Sequence, residues 1–263
     1  MTVASLVAKH GPLFRNLVRR EVRQRYKGSA LGIGWNLMVP AVLVATYSFV
    51  FRYVFPGGQP DYAVYLVSGL AAWTLFVGGV QVAASSLVAN ANLIKKVRFP
   101  RQIVPLASMT ASSVVALAMF AIALVLCVIV RPIGPMLVML PVFIVLLATF
   151  TAGFGLLLSA LNVYLRDVEF LFGALTMPWF FLTPVLFAFR NLPANLQEKT
   201  WVLRILHYGN PITPFVLGTQ DAMFYAQWPA LGDLLYAAVA AALMLTFGVW
   251  AFRRLERDLA VEL

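Results

Sequence analysis

Six apolar runs, each about the length needed to cross a bilayer, leave this chain little choice of fold class. A helical span needs about 20 apolar residues to cross about 30 Å of hydrocarbon. Such runs fall at roughly 35–55, 62–89, 103–130, 136–161, 170–189 and 234–252. A helix in lipid satisfies its own backbone groups, so the expected fold is all-α. The expectation is a single integral membrane domain, 1–263, with six transmembrane helices, an amino-terminal amphipathic helix at the interface over 12–27, and re-entrant outside helices between spans five and six. With 62% hydrophobic and 11% charged residues in a chain of 263, no separate soluble domain fits in what remains.

The net charge of +10 reads as topology, because the cations segregate by membrane side and form no groove-lining set for nucleic acid. The amino-terminal arm carries Lys9, Arg15, Arg19, Arg20, Arg23, Arg25 and Lys27. Lys95, Lys96, Arg98 and Arg101 follow in the second loop, Arg166 in the fourth, and Arg253, Arg254 and Arg257 in the tail. Those are 15 of the 20 Lys and Arg residues, against Arg52, Arg131, Arg190, Lys199 and Arg204 on the other side. By the positive-inside rule both termini are cytoplasmic in a multi-pass chain. The first apolar run starts too late, and is too long, for a cleaved signal peptide.

On a helical wheel Leu13, Phe14, Leu17, Val18 and Val22 share one side of the arm and Arg15, Arg19, Arg20, Arg23 and Lys27 the other. Such a helix lies on the membrane surface, its apolar face in the acyl boundary and its cations toward anionic headgroups. Glu21, Gln24 and Arg25 interrupt the apolar side, where Glu21 and Arg25 are spaced to pair. Gly28, Gly32 and Gly34 then make a corner or a hinge into the first span.

Span two presents Tyr62, Tyr65, Gly69, Trp73 and Phe76 on one face, with Gln81, Ser85 and Ser86 below. These aromatics either pack and anchor at the interface or wall a conduit, since flat π-faces grip sugar C–H surfaces without charge. In the inside loop 90–101, Leu93, Ile94, Val97 and Phe99 are spaced to give a short helix a sticky side rimmed by cations, which suggests a docking surface. Thr151, Ala152, Gly153 and Gly155 in span four allow close helix approach. The loop 162–169 holds a compact Arg166, Asp167, Glu169 cluster. Span five carries Trp179, Phe180 and Phe181 and is interrupted by Pro178 and Pro184. The stretch 190–233 mixes apolar pieces too short to span with prolines, and reads as a lid over an exit or as a packed outer cap.

What is missing narrows the function. None of the ten acidic residues lies well inside a span, whereas proton-coupled pumps use intramembrane carboxylates or histidines. No G-x-x-x-x-G-K-[ST] loop occurs to cradle a nucleotide, and no Ser-His-Asp or Cys-His arrangement is evident. Cys127 is alone in span three and reads as packing, and His10 and His207 lack neighbouring ligands, so no metal site is expected. A polytopic chain with a docking-like inner face and no engine implies a separate engine.

Five stretches in this order, RREVRQRYKGSALGIGWNLMVP, NANLIKKVRFPRQIVPLA, LNVYLRDVEFL, FFLTPVLF and NPITPF, resemble the permease subunits of ABC type 2 exporters. Within that group the chain most resembles the polysaccharide and polyol-phosphate branch that exports O antigen or teichoic acid. The resemblance implies a non-enzymatic, channel-forming homodimer in the bacterial cytoplasmic membrane, served by two copies of a cytoplasmic ATPase that binds the ATP and Mg. No cofactor is implied in this chain, and the cargo implied is a lipid-linked glycan. Carried onto these positions, Arg19 and Arg23 of the surface helix, Leu93, Lys95, Lys96, Arg98 and Phe99 of the second loop, and Arg166 and Asp167 meet the ATPase. The channel aromatics correspond to Tyr62, Tyr65, Trp73, Phe76, Trp179 and Phe180, and a pyrophosphate headgroup at the cytoplasmic mouth finds Arg23, Arg25 and Lys27. A type 2 permease for a small drug or lipid is the nearest rival. A multi-span membrane enzyme is a second, and it requires paired carboxylates or a metal motif on one side.

Overall fold

The computed structural model describes residues 3–27, 34–50, 53, 61–97, 99–130, 134–193 and 198–256, and every regular element among them is helical. Helices α1 (Val3–Lys9) and α2 (Gly11–Tyr26) precede α3 (Gly34–Phe49). Next, α4 (Tyr62–Ala89) leads through the short α5 (Ala91–Lys96) to α6 (Ile103–Val130). A 3₁₀ turn at Pro135–Val138 opens α7 (Met139–Tyr164), and α8 (Asp167–Leu182) follows. After a 3₁₀ turn at Phe189–Asn191, α9 (Thr200–Arg204) runs into a wide π turn, Ile205–Gly209. Then α10 (Thr213–Gln220) runs into a second π turn, Asp221–Tyr225, before α11 (Leu231–Leu255). Gly28, Gly32, Arg98, Arg257, residues 131–133 and most of the expected outer turn after span one lie outside the described residues.

Among the described residues four helices are long and apolar enough to cross a membrane: Tyr62–Ala89, Ile103–Ile129, Pro135–Tyr164 and Leu231–Leu255. Expected spans two and three coincide with α4 and α6 to the residue. Helix α8 has 16 residues, short of the required length of about 20, and 16 residues of α3 lie among the described residues. The expected fifth span, 170–189, is corrected at both ends. Helix α8 starts at Asp167, where two acids, Asp167 and Glu169, favour the positive helix end. It stops at Leu182 because Pro184 holds Thr183 in extended backbone, φ −98° and ψ 137°.

Helix α4 is the hub. Of its most apolar window 78% is buried, against 33% or less for the other three long helices, and it packs against α6, α7, α8 and α10. The outer helices turn Val114, Leu117, Ile122, Val125 and Ile129 of α6 and Val239, Leu243, Phe247 and Trp250 of α11 outward, as chains solvated by lipid do. Small residues allow a close crossing of α7 and α11: a Cβ at Gly248 of α11 would overlap the Gly153 carbonyl of α7, and one at Gly153 would overlap the Met244 carbonyl.

Two apolar clusters fill the interior. One lies at the α5 end and joins Leu6, Leu17, Leu87, Ile94, Ile103, Val104, Leu156, Val163 and Phe252. Helix α2 therefore uses its apolar side on protein, contrary to the expected burial in lipid. Leu17 is 5% exposed, and Leu13, Phe14 and Val18 pack against the same cluster. Protein atoms, chiefly those of α6, occupy the place that acyl chains were expected to take.

Candidate functional site

At the α5 end the cationic side of α2 is left outward. Arg19, Arg23, Arg25 and Lys27 are exposed, and Arg19, Arg20, Arg23 and Lys27, with Asn16 and Gln24, line an open cleft of about 680 Å³. Of the three expected headgroup cations the cleft unites Arg23 and Lys27; Arg25 does not line it. Arg20 is half-buried, meets Glu21 at 3.3 Å and donates to the Asn90 side-chain oxygen. Asn90 in turn donates from Nδ2 to the Ser86 carbonyl, 2.9 Å away. A second cleft of about 260 Å³ sits behind this contact, walled by Arg20, Glu21, Ser85, Ser86, Asn92 and Ser108. Arg20 and Asn90 are 70 positions apart, and nothing in either neighbourhood marks them as partners.

The expected docking loop folds with its sticky side inward. Ile94 is buried, and Leu93 and Phe99 pack half-buried on the cluster below, which leaves Asn92, Lys95, Lys96 and Val97, the last 51% exposed, as the outward part among the described residues. The α7–α8 turn exposes Leu165, Arg166 and Asp167. Asn162 holds that turn: its Nδ2 donates to the Ala84 carbonyl of α4 at 3.0 Å, and its Oδ1 accepts from the Glu169 N–H at 3.1 Å.

The span-two aromatics, expected to pack or to wall a conduit, lie inside the single chain. Tyr65 is 1% exposed, Phe76 is fully buried, and Tyr62 and Trp73 are buried with them. The cause is the break after α8. A chain leaving helix geometry inside an apolar interior frees carbonyls that must find donors. The Tyr62 hydroxyl donates to the Leu186 carbonyl at 2.8 Å. The Tyr65 hydroxyl is shared between the carbonyls of Pro184, 2.9 Å, and Phe187, 2.6 Å. Gln220 of α10 donates to Pro184 as well, at 3.0 Å. Trp73 and Phe76 support α8 from behind, with ring centroids 5.4 Å from Phe180 and 5.3 Å from Trp179 respectively. Trp179 and Phe180 themselves are half-buried, and Phe170, Leu171, Leu175, Met177 and Phe181 on α8 face outward.

Asn210 joins two of the five motifs. Its Oδ1 accepts from Trp179 Nε1 at 2.8 Å and from the Ile212 N–H at 3.1 Å, and its Nδ2 donates to Thr183 Oγ1 at 2.9 Å. NPITPF thus closes the break in FFLTPVLF. Further along, His207 Nε2 lies 2.6 Å from Asp233 Oδ1, on the first turn of α11, and its ring stacks between Phe189 and Tyr208. Tyr236 donates to the Tyr208 carbonyl at 2.8 Å, so the first π turn is pinned to α11 twice. The Asp221 carboxyl is pushed up to about 6, chiefly by burial and also by the nearby Asp233, while its hydrogen bond from Gln227 and the Arg190 charge oppose the shift. The 26 positions between His207 and Asp233 hid this pair from sequence reading.

The model of the family described as ABC-2 type transporter matches residues 12–224. The chain is 30% identical over 217 residues to the O-antigen export system permease protein RfbA of Klebsiella pneumoniae, covering 80% of this chain and 81% of that one. A second Klebsiella pneumoniae protein of the same description is 28% identical over 216 residues, with the same coverage. The O-antigen export system permease protein RfbA of Myxococcus xanthus is 30% identical over 238 residues, 89% of this chain and 88% of its own length.

Proposed function

The chain belongs to the ABC-2 type transporter family, and from that premise we propose that it is the permease subunit of an ATP-driven exporter of a lipid-linked polysaccharide. The observation that carries this reading is the likeness to O-antigen export permeases, which runs across 80 to 89% of the chain. Because the sequence holds no phosphate-cradling loop, the reading assigns ATP hydrolysis, with its Mg, to a separate cytoplasmic subunit.

In this proposal two copies of the chain and two copies of the ATPase form the working unit in a bacterial cytoplasmic membrane. Helices α3 and α8 complete six spans, α8 with its broken continuation, and both termini are cytoplasmic by the distribution of Lys and Arg. The ATPase docks on Lys95, Lys96 and Val97 at the outward side of the α5 loop, beside the half-buried Leu93 and Phe99, together with Arg166 and Asp167, and Arg19 and Arg23 border that surface. A pyrophosphate group on the lipid carrier is held electrostatically in the cleft of Arg19, Arg23 and Lys27. The pathway wall draws on Trp179 and Phe180, which Trp73 and Phe76 support from behind. ATP-driven closure of the two ATPases moves the α5 loops, the two copies change their separation, and the glycan advances.

Reconstitution in proteoliposomes tests the proposal. With the ATPase and ATP present, lipid-linked glycan is delivered across the bilayer; without either it stays. Glycan delivery by this chain alone overturns the reading.

A further inference from the structure

A helix leaves its last carbonyls without intrahelical donors. At the end of α11 these carbonyls are met by side chains from two other elements. The Tyr164 hydroxyl, on the last residue of α7, donates to the Leu255 carbonyl at 2.7 Å. Arg101, just before α6, donates from Nη1 to the Glu256 carbonyl at 2.7 Å, and its backbone N–H donates to Glu256 Oε1 at 3.2 Å. Arg101, Tyr164 and Glu256 are all half-buried. A guanidinium at a helix carboxyl end meets both the free carbonyl and the negative end of the dipole. Beneath the junction, Phe252 of α11 packs in one cluster with Ile103 and Val104 of α6 and Val163 of α7.

The arrangement ties together three segments that are far apart in the chain. Arg101 follows the α5 loop, Tyr164 immediately precedes the Leu165–Arg166 link into α8, and Leu255–Glu256 ends the last span. The two connections that face the ATPase in the proposed function thus both terminate on α11. We propose that this three-way clamp is a coupling joint: Arg101 and Tyr164 are positioning residues that make α11, and with it α7, move as one with the α5 loop. The inference rests on the ATP-driven reading and adds to it the route by which displacement leaves the docking surface. Without the joint, α5 still receives the stroke and α11 does not follow.

The complex of permease and ATPase in nanodiscs or proteoliposomes tests this with Arg101→Ala, Arg101→Lys, Tyr164→Phe and Glu256→Gln. Arg101→Ala is expected to keep co-purification with the ATPase and its rate of ATP hydrolysis, while glycan moved per ATP falls about tenfold, the size of one lost charge-assisted hydrogen bond. Tyr164→Phe gives a smaller loss and the double variant a larger one. Arg101→Lys keeps the charge but not the planar fork, and recovers part of the coupling. Glu256→Gln retains every backbone acceptor and changes coupling less than about twofold, which separates carbonyl capping from a simple ion pair. Hydrogen exchange adds a readout independent of transport: in Arg101→Ala the amides at the end of α11 exchange about tenfold faster, with the amides at the middle of α4 unchanged. Wild-type glycan per ATP in the double variant overturns the joint, as does unchanged exchange at the end of α11. A wild-type chain that co-purifies with no ATPase overturns instead the functional reading, and the coupling role with it.

Discussion

The Gly153–Gly248 contact brings two helix backbones together with no side chain between them. Each glycine faces the other helix's backbone, so a side chain at either has only main-chain atoms to displace. Gly248→Val is expected to cost about 3 kcal/mol by forcing α7 and α11 apart, read as a lower midpoint of thermal unfolding in detergent. A Cβ added at Gly11 would meet nothing within 4 Å, and as the matching control Gly11→Ala is expected to change stability by less than about 0.5 kcal/mol. Hydroxyl and amide losses are smaller than overlap. Tyr65→Phe removes one donor shared by two carbonyls and is expected to cost about 1 kcal/mol, because interhelical hydrogen bonds within membranes are individually modest. If Tyr65→Phe proved as damaging as Gly248→Val, the carbonyl-satisfying role assigned to the tyrosine would be too small to explain it.

Among elements, the break after α8 organises the half of the molecule opposite α5. Pro184 stops the helix, and the freed carbonyls recruit Tyr62, Tyr65 and Gln220. Asn210 then ties Trp179 and Thr183 to the start of α10. Asn210→Ala leaves the Trp179 N–H and the Ile212 N–H unpaired, and is expected to cost about 2 kcal/mol, with Trp179 fluorescence shifted. The second π turn carries a pH dependence of defined sign. The Asp221 carboxyl is raised from 3.8 to about 6 in the folded chain, mainly by burial, so between those values the native state binds more protons than the unfolded state. Stability from this group is therefore full below about pH 4 and falls as pH rises through about 6. A thermal series from about pH 4 to about pH 7 is expected to show that decline, and Asp221→Asn to flatten it.

For the whole molecule, the surface around α5 presents Lys95 and Lys96 outward over a buried apolar base. The double change Lys95→Glu with Lys96→Glu is expected to weaken ATPase binding about tenfold at low salt, with the difference narrowing as salt screens it. Membrane insertion and thermal midpoint stay unchanged, because neither ammonium supports the core. Co-sedimentation with the ATPase at two salt concentrations measures this, and equal binding by both forms removes the basic surface from the docking proposal.

Hydropathy alone placed α4 and α6 to the residue, since a long helical run without a charge admits one solution in lipid. It also indicated the close approach at Gly153, because small residues in a span have few other uses, and the five motifs in register pointed to the family that the match over 12–224 then showed. Periodicity could not say which neighbour an apolar face meets. Leu17 and Ile94 read as surface because a wheel distinguishes faces but not lipid from protein. Tyr62 and Tyr65 fitted packing first and a conduit wall second, and the wheel separated neither for the same reason, whereas their placement depends on carbonyls more than a hundred positions away. The pairs Arg20 with Asn90, His207 with Asp233, and Arg101 with Glu256 are likewise long-range. Local sequence determines which segments are helical and apolar; only the packing of distant segments decides which polar group finds a partner, because that choice is settled by proximity across the fold.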